Sequence, residues 1–255
     1  MTAWTLDIVE VCLIPQLPLS IYLPDADPET TFDVPCYCYL LTRPGETVVV
    51  DSGADRSVSA AAGFTIGGDA RAALTDALRR RGLSPEDVDT VIHTHLHYDH
   101  MQNDALFPRA RVVIRRKELE WAQSEGRDRF YVGIEGFLSE VADRMDVVEG
   151  EHEVRDGVTL LPNGGHTPGH QSLLVETDQG PICLCADIVP QAANIEIPAP
   201  SQNPAETEAF MQRIAESGWE LLPGHDPVLR QHRYYGARSS PVSVPHGRES
   251  GENHS

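Results

Sequence analysis

Thr94-His95-Leu96-His97-Tyr98-Asp99-His100 follows directly on an apolar run at 88–93. Four groups able to bind a metal ion, His95, His97, Asp99 and His100, lie within six residues. A divalent cation needs several lone-pair donors converging at roughly 2.0–2.2 Å. Side chains at alternate positions of an extended segment point the same way, so His95 and His97 can grip one ion. A turn after them can aim Asp99 and His100 at a second. Imidazole with carboxylate suits zinc, iron, cobalt or manganese, and not calcium. A His-rich surface loop is the bland alternative. Matching donors further along the chain argue against it.

Gly164-Gly165-His166-Thr167-Pro168-Gly169-His170 follows an apolar run at 158–161, and its glycines permit a tight turn close to a metal. Asp187 ends a strand expected at 181–186, where a carboxylate can bridge two cations. His225, in Pro223-Gly224-His225-Asp226-Pro227, ends another strand in a turn.

Around these motifs the pattern alternates between strands and helices. Residues 36–42 and 47–50 flank Arg43-Pro44-Gly45-Glu46 and predict a hairpin, which leaves into a tight loop at Asp51-Ser52-Gly53. Ala70, Leu74 and Leu78 share one face of a helix predicted over 69–81, with Asp69 to cap it and Gly82 to end it. Ser84-Pro85-Glu86-Asp87 opens a short helical turn, 88–93 and 111–114 read as strands, and 116–123 as a helix. Residues 126–145 carry a partly helical apolar face (Phe130, Tyr131, Ile134, Phe137, Leu138, Val141), read as an insertion over the site. Strands are predicted at 158–161, 171–177, 181–186 and 219–222, and a helix at 204–217 between Asn203 and Gly218, with Pro204 in its first turn. The order fits two β-rich halves with helices outside. Residues 237–255 are Ser, Pro, Gly and charge and read as a disordered tail, leaving 1–236 as a single domain.

Composition narrows the partners. Lys and Arg number 20 against 39 Asp and Glu, a net charge of −19 that disfavours nucleic acid and anionic membrane. A small-molecule substrate is expected, and a homodimer is left open. The five cysteines (Cys12, Cys36, Cys38, Cys183, Cys185) are odd in number and lack C-x-x-C spacing. Cys36 with Cys38, and Cys183 with Cys185, each share a strand face; a thiolate metal site is one reading, and reduced, buried small hydrophobes, which suit a cytoplasmic protein, are the preferred one. Residues 1–10 do not form a signal peptide. No apolar run approaches the roughly 20 residues that span a bilayer.

Over roughly residues 35–230 the chain resembles the metallo-β-lactamase superfamily, on the H-x-H-x-D-H signature at 95–100. Within it, the chain is similar to the N-acyl-homoserine-lactonase-like branch in Gly82-Leu83-Ser84-Pro85-Glu86-Asp87-Val88, in Leu106-Phe107-Pro108-Arg109-Ala110 and in Gly165-His166-Thr167-Pro168-Gly169-His170. The resemblance implies an α+β fold, an αββα sandwich of two mixed β-sheets flanked by helices. It implies two divalent metal ions, zinc first, with iron, manganese or cobalt as alternatives. His95, His97 and His166 would hold one, Asp99, His100 and His225 the other, and Asp187 would bridge them. Asp51 and His170 would orient these ligands through hydrogen bonds, with a plain turn-forming role for Asp51 left open. The implied reaction is hydrolysis of an ester, foremost a lactone, by water activated between the cations, with Asp99 also shuttling the proton.

The sequence also departs from that branch. A Tyr commonly stands three residues after the bridging Asp, where this chain has Pro190, and Met101-Gln102-Asn103 replaces a common Gly-Gly. Tyr131 either supplies the missing hydroxyl or packs, and packing is the preferred reading. His93 reads as a residue of the core wall, Tyr98 as packing, and His152, His232, His246 and His254 as surface. Substrate contacts are expected from 15–34, 126–145 and 190–203. A thioesterase, an arylesterase or an organophosphate triesterase would use the same centre. An iron-dependent redox protein and a non-catalytic binder are more distant alternatives.

Overall fold

Period-two alternation along the strands decides which side chains meet. This computed structural model describes residues 3–231 and the backbone of 234–235. In the first sheet β1 (Thr5–Pro18), β2 (Thr31–Arg43) and β3 (Glu46–Val50) run antiparallel in that order. The predicted hairpin joins β2 to β3, with Tyr39 opposite Val50 and Gly45 at a φ of 80° in the turn. The short β4 (Gly67–Gly68) pairs with β1. Beyond β3 the sheet continues in parallel through β5 (Thr90–Ile92), β6 (Arg111–Arg115) and β7 (Met145–Val148). The second sheet contains β8 (His152–Arg155), β9 (Val158–Pro162), β10 (Gln171–Thr177), β11 (Gly180–Ala186) and β12 (Glu220–Pro223). Only its β11–β12 pair is parallel, so both sheets are mixed. β13 (Tyr234–Tyr235) pairs with the outer edge of β1.

Tyr39, Leu41, Val48, Val50, Ile92 and Val113 of the first sheet share a buried cluster with Leu160, Leu173, Val175, Leu184 and Leu222 of the second. Their alternate neighbours Leu40, Val49, Val91, Val112 and Ile114 face the other way. They pack with Leu74 and Leu78 of α2 (Ala70–Arg80), Ala122 of α4 (Arg116–Ala122), and Phe137 and Val141 of α5 (Ile134–Val141). On the far side of the second sheet, Leu161, Cys183 and Cys185 meet Phe210 and Ile214 of α6 (Pro204–Ser217). The result is the αββα sandwich that the resemblance implies. Burying one Val, Leu or Ile contributes roughly 1.5–3 kcal/mol, so the shared layer holds the two sheets firmly face to face.

The helix boundaries follow their caps. Asp69 accepts the Ala72 N–H at 3.0 Å ahead of α2, and Gly82 turns away at a φ of 74°. Asn203 accepts the Glu206 N–H ahead of α6, Pro204 opens it, and Gly218 ends it at a φ of 69°. The insertion at 126–145 supplies α5 and then runs into β7. Four elements had no forewarning: β1, the edge strands β7 and β8, and α1 (Arg56–Ala61). β1 hides because Pro15 and Pro18 interrupt it and the register shifts between Glu10 and Cys12, which breaks a simple alternation. Among the described residues, no helix is long and apolar enough to cross a membrane. The tail at 237–255, with His246 and His254, and His232 lie outside the described residues.

Candidate metal centre

β3, β5, β9, β11 and β12 all deliver polar side chains just past their C-terminal ends, at one rim of the sandwich. Asp51 follows β3, His93, Thr94 and His95 follow β5, His166 follows β9, Asp187 follows β11, and His225 follows β12. The chain turns sharply at these exits. Asp51, Ala186 and Gly164 have φ values of 59°, 49° and 55°. A left-handed alanine is strained by about 1–3 kcal/mol, and close packing holds it. A Cβ on Gly224 would stand 2.6 Å from the Ala186 carbonyl, so only glycine fits against that turn. After His97 the one-turn α3 (Tyr98–Met101) swings Asp99 and His100 back toward the cluster.

The structure brings all seven predicted donors together. Ligand atoms of His95, His97 and His166 lie within 4.8 Å of one another, and His97 Nδ1 is 3.0 Å from His166 Nε2. Asp99 Oδ2 lies 3.5 Å from His100 Nε2 and 3.8 Å from His225 Nε2. Asp187 stands between the two groups. Its Oδ2 is 3.1 Å from His225 Nε2 and 3.4 Å from His166 Nε2, and its Oδ1 is 3.4 Å from His100 Nε2. His95, His100 and Asp187 also form a close set, so the two groups adjoin without a wall between them.

These residues fit cations. His95 Nε2, His100 Nε2 and Asp187 Oδ1 are buried and have no hydrogen-bond partner, and these three residues form one close set. Leaving a buried polar atom unpaired costs about 1–3 kcal/mol, and three such atoms converging on one space are the signature of a ligand set. The charges agree. Burial, reinforced by neighbouring imidazoles, holds His95 well below the usual histidine range and His166 down at about 4, which keeps both rings neutral with a free lone pair. Burial opposes charge on Asp187, but the imidazoles of His225, His100 and His166 outweigh it and keep its carboxyl ionised. Burial likewise opposes the charged form of His225, but Asp187 and Asp99 overcome it and raise the ring to about 9. The negative field that favours a proton there also favours a cation.

Outer hydrogen bonds aim the donors. The Pro35 carbonyl lies 2.8 Å from His225 Nδ1, so that nitrogen must donate and Nε2 faces the cluster with its lone pair. Asp51 Oδ2 does the same for His100 at 2.8 Å from Nδ1, while Asp51 also accepts the Thr94 N–H at 2.9 Å and the Thr94 hydroxyl at 2.8 Å. Asp51 thus ties two loops as well as orienting an imidazole. His170 is placed differently. Its Nδ1 pairs with Asn163 Oδ1 at 2.6 Å, and its ring packs 5.2 Å from His95 and 5.8 Å from His166, so it supports them by contact. His93 belongs to the wall, with Nε2 2.9 Å from Asp104 Oδ2. Tyr98 stacks on Phe64 at 4.5 Å, and His152 is exposed.

Two residues at the site escaped the sequence reading, Glu118 and Tyr22, and Cys36, read there as a buried small hydrophobe, also borders it. Glu118 of α4 is a carboxylate only 1% exposed. It accepts the Leu96 N–H at 2.9 Å, the Tyr131 hydroxyl at 2.8 Å and the Thr167 hydroxyl at 2.6 Å. The signal was its place four residues before Ala122, on the buried face of a helix. Tyr131 therefore packs: its hydroxyl is committed to Glu118, and its ring meets His97 edge-on at 4.8 Å. Tyr22 stacks on His225 at 6.0 Å, and Asn194 Nδ2 donates to the Tyr22 carbonyl at 2.7 Å. Phe130 lies 5.5 Å from His97. Segments 15–34, 126–145 and 190–203 thus all border the cluster.

Gly169 shows how tightly the His166 loop is seated. A Cβ there would stand 2.1 Å from the Glu118 backbone nitrogen. Gly169→Ala should therefore destabilise the protein by about 3 kcal/mol, at the upper end for overpacking, because backbone must move. Denaturant titration measures the loss, and unchanged stability would mean that the loop is free to shift.

A layered sandwich with buried imidazoles and carboxylates gathered at one rim is the architecture of a metal-dependent hydrolase. The chain belongs to the metallo-β-lactamase superfamily, whose profile matches residues 31–235. Its relatives place it in the N-acyl-homoserine-lactonase-like branch. It is 34% identical to an N-acyl homoserine lactonase of Bacillus sp over 187 residues, which is 68% of this chain and 71% of that one. It is 29% identical to the N-acyl homoserine lactonase AiiA of Bacillus thuringiensis subsp. kurstaki over 219 residues, 78% of this chain and 84% of that one. A solved N-acyl homoserine lactone hydrolase, with the product N-hexanoyl-L-homoserine at its catalytic metal center, superposes with a TM-score of 0.74 at 25% identity, covering 91% of this chain and 96% of that chain.

Proposed function

We propose that this chain is a dinuclear metal-dependent lactonase that opens N-acyl-homoserine-lactone-like rings. The observation that carries the reading is Asp187, set between two adjoining groups of buried donors, with Oδ2 near His166 of one and His225 of the other and Oδ1 near His100. His95, His97 and His166 bind one cation, and Asp99, His100 and His225 the other. Two divalent cations held there, zinc foremost, supply a Lewis acid for the carbonyl oxygen and a water acidified toward neutrality. Asp99 accepts a proton on Oδ2 and passes it to the leaving oxygen of the ring. Asp51 and the Pro35 carbonyl fix the imidazoles, so little reorganisation accompanies the reaction. Tyr22 beside His225, Phe130 beside His97 and the chain around Asn194 border the cluster and are placed to meet the substrate. The names of the relatives support the lactone substrate.

Elemental analysis of the purified protein, with a panel of lactone, thioester, phosphotriester and β-lactam substrates, tests this reading. The expected result is about two metal ions per chain and fastest turnover on the lactone, as a two-metal site requires. An inert lactone beside a rapidly cleaved thioester or phosphotriester would move the assignment to that bond. Iron as the dominant metal, with oxygen consumption, would replace hydrolysis with redox chemistry.

A further inference from the structure

Asp99 Oδ2 has a third neighbour besides the two imidazoles. Cys36, fully buried on β2, directs its Sγ to that oxygen at 3.7 Å. The ligand atoms of Cys36, Asp99 and His225 all lie within 4.8 Å of one another. Among the described residues, no other cysteine joins such a group. Asp99 Oδ2 links this group to the rest of the centre: the unpartnered, 3% exposed His100 Nε2, which sits with His95 and Asp187, stands 3.5 Å from the same oxygen.

The thiol donates a long hydrogen bond to the carboxylate, and the spacing is also one that two ligands of a single cation adopt. Oxygen at about 2.1 Å and sulfur at about 2.3 Å from one tetrahedral cation stand about 3.6 Å apart. The Cys36 to Asp99 distance matches this.

We propose that Cys36 is a sulfur ligand of the second cation, completing a Cys36, Asp99, His100 and His225 set and biasing that position toward a thiophilic ion. The inference rests on the two-cation reading above and adds a donor to it. On binding, the S–H bond breaks, its proton leaves to solvent, and the sulfur lone pair forms the bond to the cation. Thiolate favours zinc over manganese, so the second position discriminates between metals more sharply than carboxylate and imidazole alone would. The neighbour of Cys36 across β1 and β2 is Cys12, and all five cysteines are free thiols.

Cobalt(II) reports the bond directly. The full chain is stripped of metal, kept reduced and titrated with cobalt while absorption is recorded. The expected result is two equivalents bound and an intense sulfur-to-cobalt charge-transfer band that appears with the second. Cys36→Ser should lose that band, and Cys183→Ser, altered beneath α6, should keep it. Losing even an outer partner of a ligand weakens metal binding 10–100-fold. Cys36→Val should therefore hold its second zinc at least about tenfold more weakly against a chelator. Two bound equivalents without a sulfur band in the parent would overturn the role of Cys36 and leave the dinuclear centre standing. Fewer than two equivalents at saturating cobalt would overturn both. The parent spectrum decides the matter even if a Cys36 variant does not fold.

Discussion

Asp187→Ala is expected to lower kcat/KM on the preferred substrate by at least about a thousandfold, roughly 4 kcal/mol at 1.36 kcal/mol per tenfold. Among the described residues, no other carboxylate pairs with imidazoles of both donor groups. Oδ1 faces His100, and Oδ2 faces His166 and His225. Removing the carboxylate therefore subtracts a ligand from both cations at once and leaves His225 without its strongest negative partner. Metal content should fall at both positions. His166→Ala, by contrast, should empty mainly the position shared with His95 and His97. Elemental analysis with steady-state kinetics on the same preparations separates the two variants. Full metal content and wild-type turnover in Asp187→Ala would remove the bridge from the account.

The second large effect is on stability. Glu118→Ala should cost about 3–5 kcal/mol, because it strands three buried donors, the Leu96 N–H and the hydroxyls of Tyr131 and Thr167, each worth roughly 1–3 kcal/mol when unpaired. For a chain of this size about 2–4 °C accompanies each kcal/mol, so a melting temperature about 10 °C lower is expected. The loss should reach the centre too. Glu118 joins the segment before His97, the insertion that packs on His97 and the loop that carries His166. Calorimetry of Glu118→Ala and Glu118→Gln checks this. Gln keeps an acceptor oxygen and should lose less. Equal melting points for both variants and the parent would show that the three loops hold themselves.

Much of this site could be read from the sequence because its donors crowd at strand exits. His95, His97, Asp99 and His100 are neighbours in the chain, and the glycines around His166 mark a turn that only small residues permit. The hairpin at Pro44-Gly45 and the capped helices α2 and α6 were legible from local turn and cap chemistry, which does not depend on distant contacts. Glu118 and Tyr22 were not legible, and for Cys36 a place beside metal ligands was only the lesser reading, because their surroundings come from long-range packing. Cys36 lies 63 residues from Asp99, and its buried alternation with Cys38 looks like any core strand. Tyr22 leaves the strand period entirely and meets His225 only when β2 and β12 come together. Tyr131 shows the converse. The sequence favoured packing but left its hydroxyl a role at the site, and a carboxylate on a separate helix binds that hydroxyl.

The origin of the donors has a mechanical consequence. His95, His97, Asp99 and His100 hang from the first sheet, and His166, Asp187 and His225 from the second. Any ion seated among them rivets one layer to the other at their common rim, and the free energy of its capture counts toward folding. Forces that pry the layers apart would dismantle the catalyst at the same moment, so fastener and reaction centre are a single object in this molecule.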